Sequence, residues 1–152
     1  MKIFCEHCGN KLIKRFCSKC KKPIFDDPKL AVASIIVTNN KILLIKRGVE
    51  PKIGKWAFPS GYVNKCETPE NALIREVKEE TGLTVDINQL IGIYSEEDNP
   101  VVLIVYSVNL ITHKTIPGSD ADDLNWFELN QLPELAFKHD NQILQNWKEK
   151  NC

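Results

Sequence analysis

Apolar and polar stretches along the chain predict strands and helices in a mixed order. Continuous apolar runs at Leu30–Val37, Lys41–Arg47 and Val101–Ile111 predict buried strands, and Asn39-Asn40 predicts a hairpin turn between the first two. An amphipathic stretch follows residue 68, and another lies near the end of the chain. The order strands, helix, strands, helix predicts the α/β class, as an α/β/α sandwich around a mixed sheet.

The central helix has recognisable ends. Thr68 is a suitable N-cap, Pro69 fits the first helical position, and Gly82 suits a left-handed stop. One face of this helix is an apolar stripe formed by Leu73, Ile74 and Val77. The helix is therefore predicted to bury this stripe against the sheet.

Another face of the same helix carries Glu76, Glu79 and Glu80 at spacings i, i+3 and i+4. Like charges at these spacings destabilise a helix by roughly 0.2–0.5 kcal/mol per pair. A hard divalent cation, which prefers oxygen ligands, would remove this repulsion. The alternative is a solvated acidic face that Arg75 and Lys78 neutralise.

Weaker signals predict the remaining elements. They are a strand region over Thr84–Ser95 interrupted at Asn88-Gln89 and Gly92, a short strand over Leu124–Leu129, a helical turn over Asn130–Leu135, and a final helix over Asn141–Lys150 capped by Asp140. Acidic turns at Glu96–Pro100 and at residues 117–123 connect the strands.

Near the N-terminus, Cys5, Cys8, Cys17 and Cys20 form two C-x-x-C pairs separated by eight residues. This spacing is typical of a structural zinc ribbon, in which four thiolates hold one tetrahedral Zn²⁺ and His7 stays on the surface. Disulfides are disfavoured in a reducing compartment, and a redox C-x-x-C would need a βαβ setting that this segment lacks.

The prolines and missing periodicity of Pro23–Pro28 predict a linker between a zinc ribbon (residues 1–25) and a second domain (residues 26–152). Net charge is zero, but residues 1–25 hold seven Lys or Arg and one Glu, which leaves 13 basic and 19 acidic residues elsewhere. The lysines offset the negative tetrathiolate site, so nucleic-acid binding by the ribbon is not expected. The acidic second domain needs metal ions if it binds phosphates.

Composition predicts a soluble globular protein, with 43% hydrophobic and 26% charged residues in 152. No apolar run reaches the roughly 18 residues of a membrane span. The first residues, MKIFCEHC, lack the apolar core of a signal peptide. We therefore expect a cytoplasmic protein without a membrane partner.

The stretch Gly61–Leu83 resembles the Nudix box, G-x5-E-x7-R-E-U-x-E-E-x-G-U, in which U is aliphatic. Its nine fixed positions are all filled, by Gly61, Glu67, Arg75, Glu76, Val77, Glu79, Glu80, Gly82 and Leu83. The chain is accordingly identified as a member of the Nudix hydrolase family, with the resemblance extending over about residues 29–149. The zinc ribbon ahead of it resembles the N-terminal extension of some dinucleotide and ADP-ribose pyrophosphatase subfamilies.

This resemblance implies the Nudix fold and divalent-metal-dependent hydrolysis of the pyrophosphate bond in nucleoside diphosphate-X compounds. The catalytic residues it implies are Glu67, Arg75, Glu76, Glu79 and Glu80. The last three would hold Mg²⁺ or Mn²⁺ with the Gly61 carbonyl, while Glu67 reaches the same cluster and Arg75 orients the glutamates through paired hydrogen bonds. In some relatives a further loop acid acts as base or ligand, and the candidates here are Glu96, Glu97, Asp120, Asp122 and Asp123.

The substrates implied are ADP-ribose, FAD and NADH, from the zinc-ribbon relatives and from the Pro59-Ser60-Gly61 turn with Leu135–Phe137. The signature SQPWPFPxS, which follows the box in some NADH-cleaving relatives, is absent, and Ser95–Pro100 occupies that region. Arg47 and Trp56 are candidate substrate contacts, but a polar strand end and a buried core residue are the alternatives. A nucleoside-triphosphate pyrophosphohydrolase and a non-catalytic ligand sensor, whose ribbon binds nucleic acid or a partner, remain alternative functions. The oligomeric state, a homodimer included, stays open.

Overall fold

The computed structural model of the chain describes residues 2–116, 118 and 121–151, without the side chains of residues 121 and 122. Its elements, in chain order, are β1 (Phe16–Cys17), β2 (Lys22–Pro23), β3 (Lys29–Thr38), β4 (Lys41–Arg47), β5 (Trp56–Ala57), β6 (Ser60–Tyr62), α1 (Pro69–Thr81), β7 (Val85–Ser95), β8 (Val101–Leu110), β9 (Ala121–Glu128) and α2 (Asp140–Asn151). The predicted order of strands and helices is confirmed.

Within the described residues, seven strands form one mixed sheet in the order β5-β4-β3-β8-β7, with β6 paired to β3 and β9 paired to β4. The β3–β8 pair is parallel, from Lys29↔Val101 to Ile36↔Val108. The other pairs of this sheet are antiparallel. The mixed sheet is therefore confirmed.

The predicted hairpin between β3 and β4 is present but short. Its turn residues Asn39 and Asn40 have φ angles of 48° and 62°, the left-handed conformation that a tight hairpin turn requires. Beyond the pairs Val37↔Ile42 and Thr38↔Lys41, the two strands take different partners. Strand β3 pairs with β6 and β8, whereas β4 pairs with β5 and β9.

The sheet lies between the two helices, because alternate residues of its central strands belong to different cores. The core of one face contains Val32 and Ile36 of β3 together with Leu73 and Val77 of α1. The core of the other face contains Ala33 and Ile35 of β3, with Ile143 and Leu144 of α2. This alternation, which follows the twofold period of a strand, makes the molecule an α/β/α sandwich.

Three local predictions need correction. The predicted interruptions of β7 are bulges inside one continuous strand, since the register shifts between Ile87 and Gln89 and between Leu90 and Gly92. The predicted helical turn at Asn130–Leu135 is wrong, because Leu135 instead forms a parallel bridge with Trp56. Asp140 is not an outer cap, since α2 starts at that residue and its carboxylate accepts the Phe137 N–H.

The N-terminal segment has a separate two-stranded sheet, in which β1 pairs with β2, and a small core of its own. That core consists of Cys5, Cys17 and Ile24, with Cys8, Leu12 and Cys20 packed against it. Placing the domain boundary between residues 25 and 26 stays a prediction. In the part of the chain that the structure describes, neither helix is long and apolar enough to cross a bilayer.

Candidate active site

Helix α1 has the ends that its sequence predicts. The Thr68 hydroxyl accepts a hydrogen bond from the Asn71 N–H at 3.2 Å, and Pro69 begins the first turn. Gly82 has a φ of 72° and donates its N–H to the Lys78 carbonyl at 3.0 Å. These caps fix where the helix starts and stops, so they also fix which way its acidic face points.

Arg75 lies at the centre of the acidic face. Its Nε and Nη2 donate to the two oxygens of Glu67, both at 2.9 Å, which is a bidentate pair. Its Nη1 donates to Glu76 at 2.6 Å and to Glu79 at 3.3 Å. Nη2 also donates to the Tyr62 carbonyl at 3.0 Å. Arg75 therefore links the loop before α1, two glutamates of α1 and the end of β6.

These contacts fix the charges of the cluster. The hydrogen bonds from Arg75 lower the pKa of Glu67 to about 2, with a smaller contribution from the Asn64 N–H. The hydrogen bonds to Glu67, and to a smaller extent to Glu76, raise the pKa of Arg75 above its usual value. Glu67 is therefore ionised and Arg75 protonated at every pH at which the protein is expected to work.

Glu76 and Glu80 reach from α1 to strand β6. The Ser60 N–H donates to the Glu80 carboxylate at 2.8 Å. The Glu76 carboxylate lies directly against the Gly61 backbone, where the Cβ of any larger residue would overlap it. Glu79, whose side chain is 58% exposed, instead points to solvent beside Arg75. Two of the three predicted glutamates therefore converge on one strand, and the third lies beside them.

Glu76, Glu80 and Gly61 line a cavity of about 540 Å³. Three alanines of the sheet, Ala31, Ala33 and Ala57, also line it, and their small side chains leave this space open. Arg47, Phe137, His139 and Asp140 form another part of its wall. The volume is within the range of small-molecule sites.

At the N-terminus, the sulfur atoms of Cys5, Cys8, Cys17 and Cys20 all lie within 4.8 Å of one another. Sγ–Sγ distances are 3.9 Å for Cys5–Cys20 and 3.6 Å for Cys8–Cys17. Four sulfurs at about 2.3 Å from one tetrahedral ion would be about 3.8 Å apart. The cysteine cluster therefore has the size of a four-thiolate metal site.

The turns after the two cysteine pairs share one conformation. Gly9 has a φ of 69° and Lys21 a φ of 53°, so both are left-handed. Lys21 adopts the left-handed conformation despite a steric cost of roughly 1 kcal/mol.

Comparison with known proteins decides the family. The family model of the NUDIX domain matches residues 28–147. The chain belongs to the Nudix family. An ADP-ribose pyrophosphatase of Methanocaldococcus jannaschii is 39% identical over an alignment of 155 residues, which spans 99% of this chain and 91% of that protein.

Solved structures agree with this assignment. A Nudix hydrolase from Nitrosomonas europaea superposes with a TM-score of 0.87 at 28% identity, covering 98% of this chain and 92% of the other. An ADP-ribose pyrophosphatase from Streptococcus suis superposes with a TM-score of 0.71 at 27% identity, covering 82% and 92%. The protein is thus a Nudix hydrolase.

The donors of this Nudix site suit a hard divalent cation. Glu76 and Glu80 offer carboxylate oxygens beside the Gly61 backbone, and hard cations such as Mg²⁺ prefer oxygen ligands. Among the described residues, only the four cysteines bring three or more candidate ligand atoms within 4.8 Å of one another. The carboxylate oxygens of the three glutamates are therefore not gathered around one point. The residues present fit Mg²⁺ or Mn²⁺, and the complete set of ligands stays a prediction.

Three of the five candidate loop acids have side chains that the structure describes. Glu96 lies 3.6 Å from the Nδ1 of His139, and Glu97 is exposed in its turn. Asp123 is exposed and accepts the Leu124 N–H. The side chains of Asp120 and Asp122 lie outside the described residues. The identity of a loop base therefore stays open.

The two candidate substrate contacts lie in different surroundings. Trp56 does not line the cavity, and its ring packs edge-to-face on Phe127 with centroids 4.7 Å apart, which favours the buried-core alternative. Arg47 does line the cavity, where its Nε donates to the Pro51 carbonyl at 2.6 Å. Substrate contact by Arg47 stays a prediction.

Sequence reasoning named Phe137 only as the end of the segment Leu135–Phe137, missed His139, and read Asp140 only as a helix cap. Asp140 is 2% exposed, and its carboxylate accepts the Phe137 N–H at 2.9 Å. Burial raises the pKa of Asp140 from 3.8 to about 6, although the Phe137 N–H and the nearby His139 and Arg47 lower it. The available signal was an aspartate directly before an amphipathic helix and directly after a histidine.

We expect Asp140→Asn to raise the free energy of unfolding at pH 7.5 by up to about 3 kcal/mol. Asparagine keeps an oxygen for the Phe137 N–H but removes the buried charge. Because the folded-state pKa of about 6 exceeds the ordinary 3.8, ionising Asp140 opposes folding. The wild type should therefore be less stable than Asp140→Asn by the full amount above pH 6, and the two free energies of unfolding should converge as the pH falls towards 4. Urea unfolding of both proteins across this pH range measures the difference. A difference in free energy of unfolding that does not change with pH would contradict the expectation.

Gly61→Ala is expected to lower hydrolytic activity about a hundredfold, since the new Cβ must displace the Glu76 carboxylate. It should also lower the free energy of unfolding by about 1–3 kcal/mol. A double-mutant cycle with Glu76→Ala isolates the cause, because alanine at residue 76 removes the overlap. If Gly61→Ala destabilises the Glu76→Ala protein as much as the wild type, the overlap is not responsible.

Proposed function

We propose that this Nudix hydrolase is a divalent-metal-dependent pyrophosphatase of nucleoside diphosphate-X compounds, with ADP-ribose as its leading substrate. The observation that carries the proposal is the 39% identity, over 99% of the chain, to a protein named ADP-ribose pyrophosphatase. The intact set of glutamates on α1 supports catalysis over ligand sensing, because a sensor has no need of the full set.

In the proposed reaction, water attacks one phosphorus of the diphosphate. A new P–O bond forms, the bond to the bridging oxygen breaks, and that oxygen leaves with the second phosphate. The protons of the water pass to the new phosphate ends or to solvent. ADP-ribose would give AMP and ribose 5-phosphate.

Glu76, Glu79, Glu80 and the Gly61 carbonyl would hold the metal ions. Bound Mg²⁺ or Mn²⁺ supplies charge neutralisation of the diphosphate and acidifies a water molecule. Arg75 keeps Glu76 in place through the 2.6 Å hydrogen bond, while Glu67 holds the guanidinium from the other side. The Ser60 N–H holds Glu80 against β6. These contacts pre-organise the carboxylates before substrate arrives.

The four cysteines would hold a structural Zn²⁺. Their mutual distances suit a tetrahedral ion, and the small segment has little else to bury. The Cys20 N–H donates to the Cys17 sulfur at 3.3 Å, an interaction that a coordinating thiolate accepts.

The test is a product assay with a panel of substrates. The purified protein, stripped of metal and then supplied with Mg²⁺ or Mn²⁺, is incubated with ADP-ribose, NADH, FAD and nucleoside triphosphates. Chromatography should show AMP and ribose 5-phosphate from ADP-ribose as the fastest conversion. Consumption of triphosphates alone, with release of pyrophosphate, would establish the alternative enzyme class. Absence of any turnover, with retention on nucleic acid in moderate salt, would support the sensor.

A further inference from the structure

The carboxyl end of helix α1 carries two of the three glutamates that would hold the metal. Glu79 and Glu80 lie in the last turn of the helix, which ends at Thr81. The last four carbonyl groups of a helix have no partner within it. The helix dipole also places partial negative charge at this end, which disfavours carboxylates there. This end of α1 therefore needs hydrogen-bond donors from elsewhere in the chain.

Two backbone N–H groups from a distant segment supply such donors. The Ile116 N–H donates to the Thr81 carbonyl at 2.7 Å, and the Gly118 N–H donates to the Glu80 carbonyl at 3.0 Å. Both donors come after β8, more than thirty residues further along the chain. We call Ile116 and Gly118 the α1 clamp. The clamp satisfies two of the carbonyls that the end of a helix leaves open.

The chain that leads to the α1 clamp is tied to the residue just before β7. The Ile111 and Thr112 N–H groups donate to the Thr84 carbonyl at 2.9 and 3.3 Å, and the Thr84 N–H donates to the Thr112 hydroxyl at 2.9 Å. These bonds continue the antiparallel pairing of β7 with β8, whose last pair is Val85↔Leu110. The sheet therefore fixes where this segment begins, close to the end of α1.

Gly118 permits a close approach to the helix because it has no side chain. A Cβ at residue 118 would overlap the Glu79 carbonyl oxygen and would lie 3.0 Å from the Glu80 Cα. Both are backbone atoms of α1, so they cannot turn away as the end of a flexible side chain can. A larger residue at position 118 would therefore have to displace the last turn of α1 or lose its contact with that turn.

The last turn of α1 sets the direction of the Glu80 side chain. The Glu80 carboxylate accepts the Ser60 N–H of β6 at 2.8 Å and lines the cavity beside Gly61. A misplacement of about 1 Å that starts far from the chemistry can cost about a hundredfold in rate. Removing the groups that orient metal ligands typically costs roughly 10–100-fold in metal affinity or activity. A change in the α1 clamp should therefore reach the site through Glu80.

We propose that Gly118 is a positioning residue for Glu80, and that the α1 clamp holds the metal-binding end of the helix in place. The proposal rests on the proposed function, since it takes Glu80 as a ligand of the metal. Gly118 acts through the α1 backbone and not through contact with substrate. Its replacement should therefore change metal affinity and kcat more than KM.

The Ser60 amide proton tests this position without metal or turnover. In NMR spectra of the full chain, the strong hydrogen bond to a carboxylate shifts this proton downfield. Gly118→Ala should move the signal back upfield and speed the exchange of this proton with solvent, as Glu80→Ala should. Gly92→Ala is the matched control and should leave the signal unchanged. Its new Cβ would meet the movable hydroxyl end of the Tyr94 side chain at 2.9 Å, and residue 92 does not line the cavity.

Metal titration and kinetics provide the second readout. Gly118→Ala should raise the Mn²⁺ dissociation constant about tenfold, measured by electron paramagnetic resonance, and should lower kcat for ADP-ribose about a hundredfold. KM should change less than about threefold. Ile116→Pro is a second variant, because it removes the donor to the Thr81 carbonyl without crowding the Gly118 contact. It should change the Ser60 signal and the Mn²⁺ affinity in the same direction, and urea unfolding checks that each variant is folded.

The outcomes separate this proposal from the proposed function. A folded Gly118→Ala protein with the wild-type Ser60 signal and Mn²⁺ affinity would overturn the proposal. If Gly118→Ala does not fold, an unchanged Ser60 signal in Ile116→Pro would overturn it. A wild type that binds no Mn²⁺ and hydrolyses no diphosphate would overturn the proposed function instead. The Ser60 signal would still decide, in that case, whether Gly118 positions Glu80.

Discussion

Replacing Glu80 with glutamine is expected to lower kcat for ADP-ribose about a thousandfold. Glutamine has nearly the same shape and keeps an oxygen for the Ser60 N–H, so the strand and helix stay in place. The substitution removes one negative charge from the site that would hold the metal. Metal ions contribute several kcal/mol of transition-state stabilisation, and about 4 kcal/mol corresponds to a thousandfold in rate.

The measurement combines steady-state kinetics with Mn²⁺ titration by electron paramagnetic resonance. Weaker Mn²⁺ binding should accompany the loss of kcat. Glu128→Gln is the matched control, because Glu128 is a half-exposed surface residue that pairs with Lys41 at 3.4 Å and lies outside the cavity. If Glu80→Gln kept wild-type kcat and Mn²⁺ affinity, the carboxylate would have no part in metal binding.

Glu76→Gln and Glu79→Gln extend the same experiment to the whole acidic face. We expect both to lose activity strongly, but the two carboxylates start from different positions. Glu76 lies against Gly61 in the cavity wall, whereas Glu79 is mostly exposed beside Arg75. An intact Glu79→Gln enzyme would reduce the ligand set to Glu76 and Glu80.

The residues of the Nudix box were predictable because a helix converts sequence spacing into spatial position. Thr68, Pro69 and Gly82 mark the ends of α1 locally, and glutamates at i, i+3 and i+4 must share a face. The contact between Arg75 and Glu67 also spans only eight residues. Such features depend on neighbouring residues, so one sequence contains enough information for them.

Other parts of the site depend on pairings between distant residues. The parallel register Lys29↔Val101 joins strands that are 72 residues apart, and no local pattern specifies it. The part of the cavity wall formed by Phe137 and His139 comes from a turn without periodicity more than fifty residues after the box. The Arg47 guanidinium lies over the Phe137 ring because β4 and the turn before α2 are neighbours in the fold, which the sequence pattern does not encode. The cavity was therefore not predictable, although the carboxylates that line it were.

The surroundings of Trp56 could not be predicted from the local sequence either. An aromatic residue just before the box can contact substrate or fill the core, and its sequence position is the same in both cases. The packing of Trp56 on Phe127 depends on β9 lying beside β4, a non-local pairing. Aromatic residues on short strands are thus weak predictors of substrate contact until the neighbouring strand is known.

Removal of zinc is expected to unfold the N-terminal segment and leave the rest of the protein folded. Mass spectrometry of the metal content should give one Zn²⁺ per chain, and a strong chelator or Cys17→Ser should remove it. The core of this segment consists largely of its proposed ligands, so metal binding supplies its folding free energy. Structural zinc sites contribute roughly 10–16 kcal/mol in this way. Hydrogen exchange should then become fast for amides in residues 2–25 and stay slow in β3, β8 and α1.

Cys66→Ser is the matched control for this experiment, because Cys66 is an exposed free cysteine outside the cluster. It should keep the zinc and the protection of residues 2–25. A protein that contains no zinc and has lost four hydrogens by intact mass would instead hold two disulfides, and the ribbon would be wrong. Sulfur separations of 3.6–3.9 Å argue against that outcome, since a disulfide would bring each pair to about 2 Å. If chelation also made β3 and β8 exchange rapidly, the boundary after residue 25 would not separate independent domains.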